Sequence, residues 1–136
     1  MGWASYEWRF HHSPLGIQKR RGDIPEWDRE TPLQGKSILL YAEQGFGDSI
    51  QFVRFGEYLA GLGAQVTLEV QPALRQLFSG LKVKYIIGFG DPTPPQDFQF
   101  PLMSLPWALG IDDQQLPLIP RYISTNPAWA RDWNAR

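Results

Sequence analysis

Residues 37–70 carry the pattern that most restricts what this chain can fold into. Ser37 to Ala42 is a continuous apolar run, which suits a strand buried on both faces, as in a parallel sheet. Gly45-Phe46-Gly47 breaks the run. Asp48 to Leu62 then reads as a helix, with Ile50, Val53, Tyr58, Leu59 and Leu62 turned inward. Gly63 is placed as its stop, and Gln65 to Val70 is a second strand. Strand and helix in alternation predict an α/β domain with a parallel sheet. Ligands of such sheets bind at the carboxyl ends of the strands, near the point where strand order reverses. The loop Glu43 to Asp48 therefore leads the functional argument.

The alternation continues downstream. Pro72 suits a helix first turn, and Ala73 to Phe78 continue that helix. Lys84 to Gly88 is a third strand. Pro92, Pro94 and Pro95 keep 91–96 extended. Asp97 to Pro101 is a short fourth strand, followed by a helical turn over Met103 to Leu109. Asn126 and Pro127 form an N-cap and first-turn pair, with Trp129 and Trp133 on one face of the helix that follows. Residues 1–36 differ in character. Trp3, Tyr6 and Phe10 recur at helical spacing, which predicts a short helix from Met1 to Phe10 that Ser13-Pro14 would end. Gly22 to Gly35 has no periodicity and reads as a covering arm. The expected division is thus 1–36, an N-terminal helix and irregular arm, and 37–136, a Rossmann-like parallel sheet with flanking helices.

With 136 residues the chain is one domain at most. Thirteen Lys and Arg against fourteen Asp and Glu give no basic footprint for nucleic acid. The lack of Cys removes thiolate ligands and nucleophiles and fits a reducing, cytoplasmic setting. No apolar run reaches the roughly 18 residues of a membrane span, and no secretory signal is expected at the N-terminus.

The loop after the first strand reads Glu43-Gln44-Gly45-Phe46-Gly47-Asp48. Its glycines allow a tight turn and close approach of a ligand, and the start of the next helix favours an anion such as a phosphate. Position 50 is Ile, so the third glycine of a dinucleotide fingerprint is missing, and no Walker motif is present. Asp48 has two readings. It is a helix N-cap, with Gln51 completing a capping box, or a general base at the mouth of a cleft.

Four segments carry a resemblance: 42–55 (Ala-Glu-Gln-Gly-Phe-Gly-Asp-Ser-Ile-Gln-Phe-Val-Arg-Phe), 68–74 (Leu-Glu-Val-Gln-Pro-Ala-Leu), 90–98 (Gly-Asp-Pro-Thr-Pro-Pro-Gln-Asp-Phe) and 101–110 (Pro-Leu-Met-Ser-Leu-Pro-Trp-Ala-Leu-Gly). Together they look like the glycosyltransferase-like domain that follows tetratricopeptide repeats in many bacterial proteins. Residues 2–9 resemble the junction between the last repeat and that domain. The domain is similar to the heptosyltransferases, whose GT-B fold sets two Rossmann-like halves across a cleft. The resemblance implies that this chain is the first, acceptor-side half. It implies inverting, metal-independent transfer from a nucleotide-sugar donor to a hydroxyl acceptor, on protein or glycan, with no further cofactor. The donor would be held mainly by the second half. The aspartate regarded as catalytic base in the heptosyltransferases corresponds to Asp48. Glu43, Gln44, Gly45, Phe46, Gly47 and Ser104 would then face substrate. The first half alone would have little or no turnover, because catalysis needs both reacting groups positioned together. A different reading makes the chain a non-catalytic interaction module of a repeat protein.

Each candidate also has an ordinary structural role. Glu43 and Gln44 would be solvated loop residues, and Ser104 a helix N-cap. Arg54 would form a surface pair with Glu57 or pack on Tyr58. His11 and His12 are adjacent and lack a third ligand, so no metal is expected. Lys19-Arg20-Arg21 would be a solvated turn. Asp91, Asp97, Asp112 and Asp113 lack calcium-loop spacing. Trp3, Trp8 and Trp27 would cover a core edge.

Overall fold

The computed structural model describes residues 2–12, 16–20, 22–112, 114, 122–124 and 126–135, and the side chain of His12 lies outside that description. Four parallel strands form one sheet: β1 (Ser37–Tyr41), β2 (Gln65–Val70), β3 (Tyr85–Gly88) and β4 (Phe98–Pro101), in the order β3-β2-β1-β4. Helices flank it, so the fold is α/β and Rossmann-like. Strand order reverses beside β1. The chain steps from β1 to β2 and β3, then returns to place β4 on the far side of β1.

Register assigns the two faces. Leu40 lies level with Leu68 and Phe100, and Ile38 with Val66 and Phe98. This face takes the helix α3 (Phe46–Gly61). The helix passes so close that a Cβ on Gly56 would fall 3.0 Å from Leu68 Cδ2 and 3.4 Å from Leu40 Cδ1. Gly63, at φ +97°, turns the chain out of the helix end. The opposite face carries Leu39, Tyr41, Thr67, Glu69 and Gln99, all buried. Three of these are polar: Gln96 Nε2 donates to Thr67 Oγ1 at 3.0 Å, and Arg20 covers the other two. Its guanidinium donates to Glu69 Oε2 at 3.0 Å, Gln99 Oε1 at 3.3 Å and Thr93 Oγ1 at 3.2 Å. A buried polar face without such partners would be costly. The expected solvated turn at Lys19-Arg20-Arg21 therefore gives way to a structural Arg20, Arg21 lying outside the described residues.

Residues 22–36 hold no helix or strand. They run along β4, where Glu26 bridges Gln99, Trp27 N donates to Gln99 O and Gln99 N to Pro25 O. Trp27 is buried, packs edge-on against Phe100 at 5.5 Å and donates its indole N–H to Thr31 O. Trp27 and Leu33 belong to the same apolar core as the sheet and α3.

The N-terminal helix is divided. α1 (Trp3–Tyr6) and α2 (Arg9–His12) are separated by a turn at Glu7 and Trp8, and the expected end at Ser13-Pro14 lies outside the described residues. The helix expected from Ala73 to Phe78 is a 3-10 turn, Pro72–Leu74, followed by further turns. Its short apolar set, Leu74 and Phe78, is buried without a full helix. α4 (Leu105–Ala108) follows a 3-10 turn at Leu102–Ser104, and α5 (Pro127–Asn134) is capped by Asn126, whose side chain accepts from Ala128 N.

Candidate functional site

The point where strand order reverses, beside which ligands of such sheets bind in a crevice, lies at the carboxyl ends of β1 and β4, between Ala42–Gly45 and Leu102–Ser104. Glu43 stands there. Its side chain is 1% exposed, and Oε2 accepts from Met103 N at 3.0 Å, which ties the two loops together. Oε1 accepts from Arg9 Nη2 at 2.7 Å and Nε at 3.2 Å. Arg9 also donates to Glu7 Oε1 at 2.6 Å and to Ser104 Oγ at 2.7 Å, and Ser104 Oγ donates to Glu7 Oε1 at 2.8 Å. The rings of Tyr6 and Phe10 lie against the guanidinium, 4.6 and 4.1 Å from its carbon. α1 and α2 thus place one cation among two carboxylates inside the crevice.

Burial pushes the Glu43 carboxyl above the ordinary glutamate range. Arg9 and Met103 N–H oppose the shift, and the Glu7 charge adds to it. Burial works against the charge on Arg9 as well, but the Glu43 and Glu7 carboxylates outweigh it and hold the guanidinium above its usual value. Glu43 is therefore not a solvated loop charge, and Ser104 does not cap α4 with its side chain. Gln44 is also engaged, its Nε2 donating to Tyr6 OH at 2.7 Å.

The rest of the loop is open. Gly45 is the N-cap of α3, and Asp48 is the third helical residue, so the expected N-cap at Asp48 is corrected by three positions. The reason is that Gly45 is extended, at φ −70° and ψ 173°, while Phe46 and Gly47 are already helical. Neither Gly45 nor Gly47 has positive φ, so neither is demanded by a tight turn. A Cβ on Gly47 would meet open space, and one on Gly45 would meet Asp48 Oδ2 at 3.5 Å. What the glycines provide is bare backbone. Asp48 Oδ2 accepts from Gly45 N at 3.1 Å, and Phe46 is 52% exposed beside it.

Two residues not singled out by pattern hold this loop. Ser49 Oγ donates to Gln71 Oε1 at 2.8 Å, and Gln71 Nε2 donates to Gln44 O at 2.7 Å. The start of α3 is thereby tied to the end of β2. No family model, curated protein or solved structure matches this chain.

The remaining candidates resolve into structure. Arg54 turns to Tyr122, donating to its hydroxyl at 3.0 Å with Cζ 4.4 Å over the ring, rather than pairing with Glu57 or packing on Tyr58. Asp91 accepts from Arg75 and Gly88 N, and Asp97 from Ser37 N and Oγ. Asp113 lies outside the described residues. Trp3 packs edge-on against Phe52, while Trp8 is 61% exposed. Among the described residues, no three His, Cys, Asp or Glu side chains gather to hold a metal ion, and no helix is long and apolar enough to cross a membrane.

Proposed function

We propose that this chain is the acceptor-side half of a bacterial, cytoplasmic glycosyltransferase. In this reading it follows tetratricopeptide repeats and faces a second half that holds a nucleotide-sugar donor. The observation that carries the reading is the setting of Asp48. It stands on the first turn of α3, at the carboxyl edge of a parallel sheet, between bare glycine backbone and the exposed Phe46 ring. Gly45 N–H orients Oδ2. Oδ1 takes the proton of the acceptor hydroxyl as that oxygen bonds to the anomeric carbon from the face opposite the leaving nucleoside diphosphate. The bond from the anomeric carbon to phosphate breaks, and the configuration inverts. Phe46 offers a ring face to the acceptor sugar. Glu43, Gln44 and Ser104 support the crevice wall behind.

The test is sugar transfer by the protein that carries both halves, with UDP-, GDP- and ADP-sugars as donors. Asp48→Asn is expected to lower turnover by about 10²–10⁴-fold, the usual contribution of a general base, with donor affinity unchanged. Gly47→Ala is expected to fold normally and to weaken acceptor use. Undiminished transfer by Asp48→Asn would remove the base assignment.

A second reading, a non-catalytic interaction module, draws on one specific observation. Arg9 already fills the crevice at which ligands of such sheets bind. Absence of donor binding by the two-half protein would favour that reading.

A further inference from the structure

We propose that the groove between α5 and the turn at residues 76–80 is a binding site for a neutral oligosaccharide. The site does not rest on the reading of Asp48, and none of its residues belongs to the loop after β1.

The groove has a volume of about 850 Å³, within the ~300–1,000 Å³ of small-ligand sites. The wall formed by residues 122–124 is held in place from below. Arg54 clamps Tyr122, and the next two residues run against the turn so closely that a Cβ on Gly80 would lie 2.7 Å from Ser124 Oγ. Leu77 and Ile123 pack against the core. Above them α5 brings Trp129 and Trp133, which remain 46% and 75% exposed although both line the groove.

The chemistry of the lining selects the occupant. Among the described residues that line it, no side chain is ionisable, so these offer no counter-ion to a phosphate or to a peptide of high charge. Its polar groups are amides and hydroxyls, each able to donate and accept. Gln76, Ser124 and Asn134 make no side-chain hydrogen bond among the described residues, and Asn126 keeps its amide N–H groups after capping α5 with its oxygen. The two indoles are four residues apart, about 6 Å along the helix axis, close to the length of one pyranose ring. Two exposed indoles on one helix face, bordered by groups that pair with hydroxyls, match a neutral glycan. An apolar segment of a second chain would cover the rings but leave these amides and hydroxyls unpaired, which is unfavourable.

The experiment is a titration of the full chain, followed by the indole N–H resonances of its tryptophans, with maltohexaose, cellohexaose, chitohexaose and, as the charged comparator, hexagalacturonate. At least one neutral oligosaccharide is expected to shift the Trp129 and Trp133 signals saturably, leaving Trp8 and Trp27 in place. Trp133→Ala is expected to weaken that binding at least about tenfold, a difference well resolved by titration, with the rest of the spectrum unchanged. Asn134→Ala, which leaves both rings, is expected to weaken it as well. The proposal is overturned if no neutral oligosaccharide shifts the two signals, or if hexagalacturonate binds as tightly. It is also overturned if the signals move with protein concentration alone, which would assign the groove to a second copy of the chain.

Discussion

Arg9 is the side chain on which the N-terminal segment depends. Its side chain and that of Glu43 are 5% and 1% exposed, so water is scarcely available to either as an alternative partner. Arg9→Ala leaves Glu43 buried without its cation and is expected to destabilise the fold by ~3–5 kcal/mol in urea unfolding. Lys19→Ala removes an ion pair with Glu26 that is almost half exposed on both sides, and a change within ~0.5 kcal/mol is expected. Acid acts through other residues. The N–H and hydroxyl of Ser37 hold Asp97 below its ordinary value of 3.8, and Thr31, with Glu30 N–H, does the same for Asp28. A depressed folded pKa contributes stability that is present above the unfolded value and lost as pH falls through the folded one. The double variant Asp28→Asn, Asp97→Asn is therefore expected to show a shallower loss of stability below about pH 4, read as the urea midpoint against pH. Glu43 works in the opposite sense. Its raised carboxyl favours the folded state on the acid side and gives that stability up as pH rises through the folded value.

At the level of the helix, α3 contains three glycines with different duties. Gly56 lets the helix lie on Leu68 and Leu40, whereas Gly61 faces open space. Gly56→Val is expected to cost ~1–3 kcal/mol by overpacking. Gly61→Ala is expected to stabilise by ~0.4–1 kcal/mol, through the lost freedom of the unfolded chain. Thermal unfolding of the two variants would separate packing from propensity, and equal signs would contradict the assignment. Gly47, at the other end, meets nothing on either account and leaves backbone open beside Asp48. The strands and α3 were legible from the chain because apolar periodicity reports burial directly. The segment after Pro72 departs from the expected helix because proline suits the first turn of a 3-10 helix as well, and Leu74 and Phe78 are buried by turns alone.

Across the domain, the segment before β1 is part of the packing. Trp27 is expected to contribute heavily, and Trp27→Ala should cost ~3–5 kcal/mol. Hydrogen exchange should then show lost protection along β4, where Trp27 and Pro25 bond with Gln99. An exchange pattern confined to residues 22–36 would mean that the segment merely lies on the surface. The α/β alternation and the order of strands along the chain follow from the sequence alone, because local period and glycine placement decide them. So does the prominence of the loop before α3. The tertiary structure alone decided that Glu43 and Ser104 are buried partners of Arg9, that Gln71 and Ser49 hold the loop, and that Arg20 covers the polar face of the sheet. These are contacts between residues 22 to 95 positions apart. No local spacing encodes such a meeting, since which charge meets which is settled only when the sheet brings the ends of its strands together.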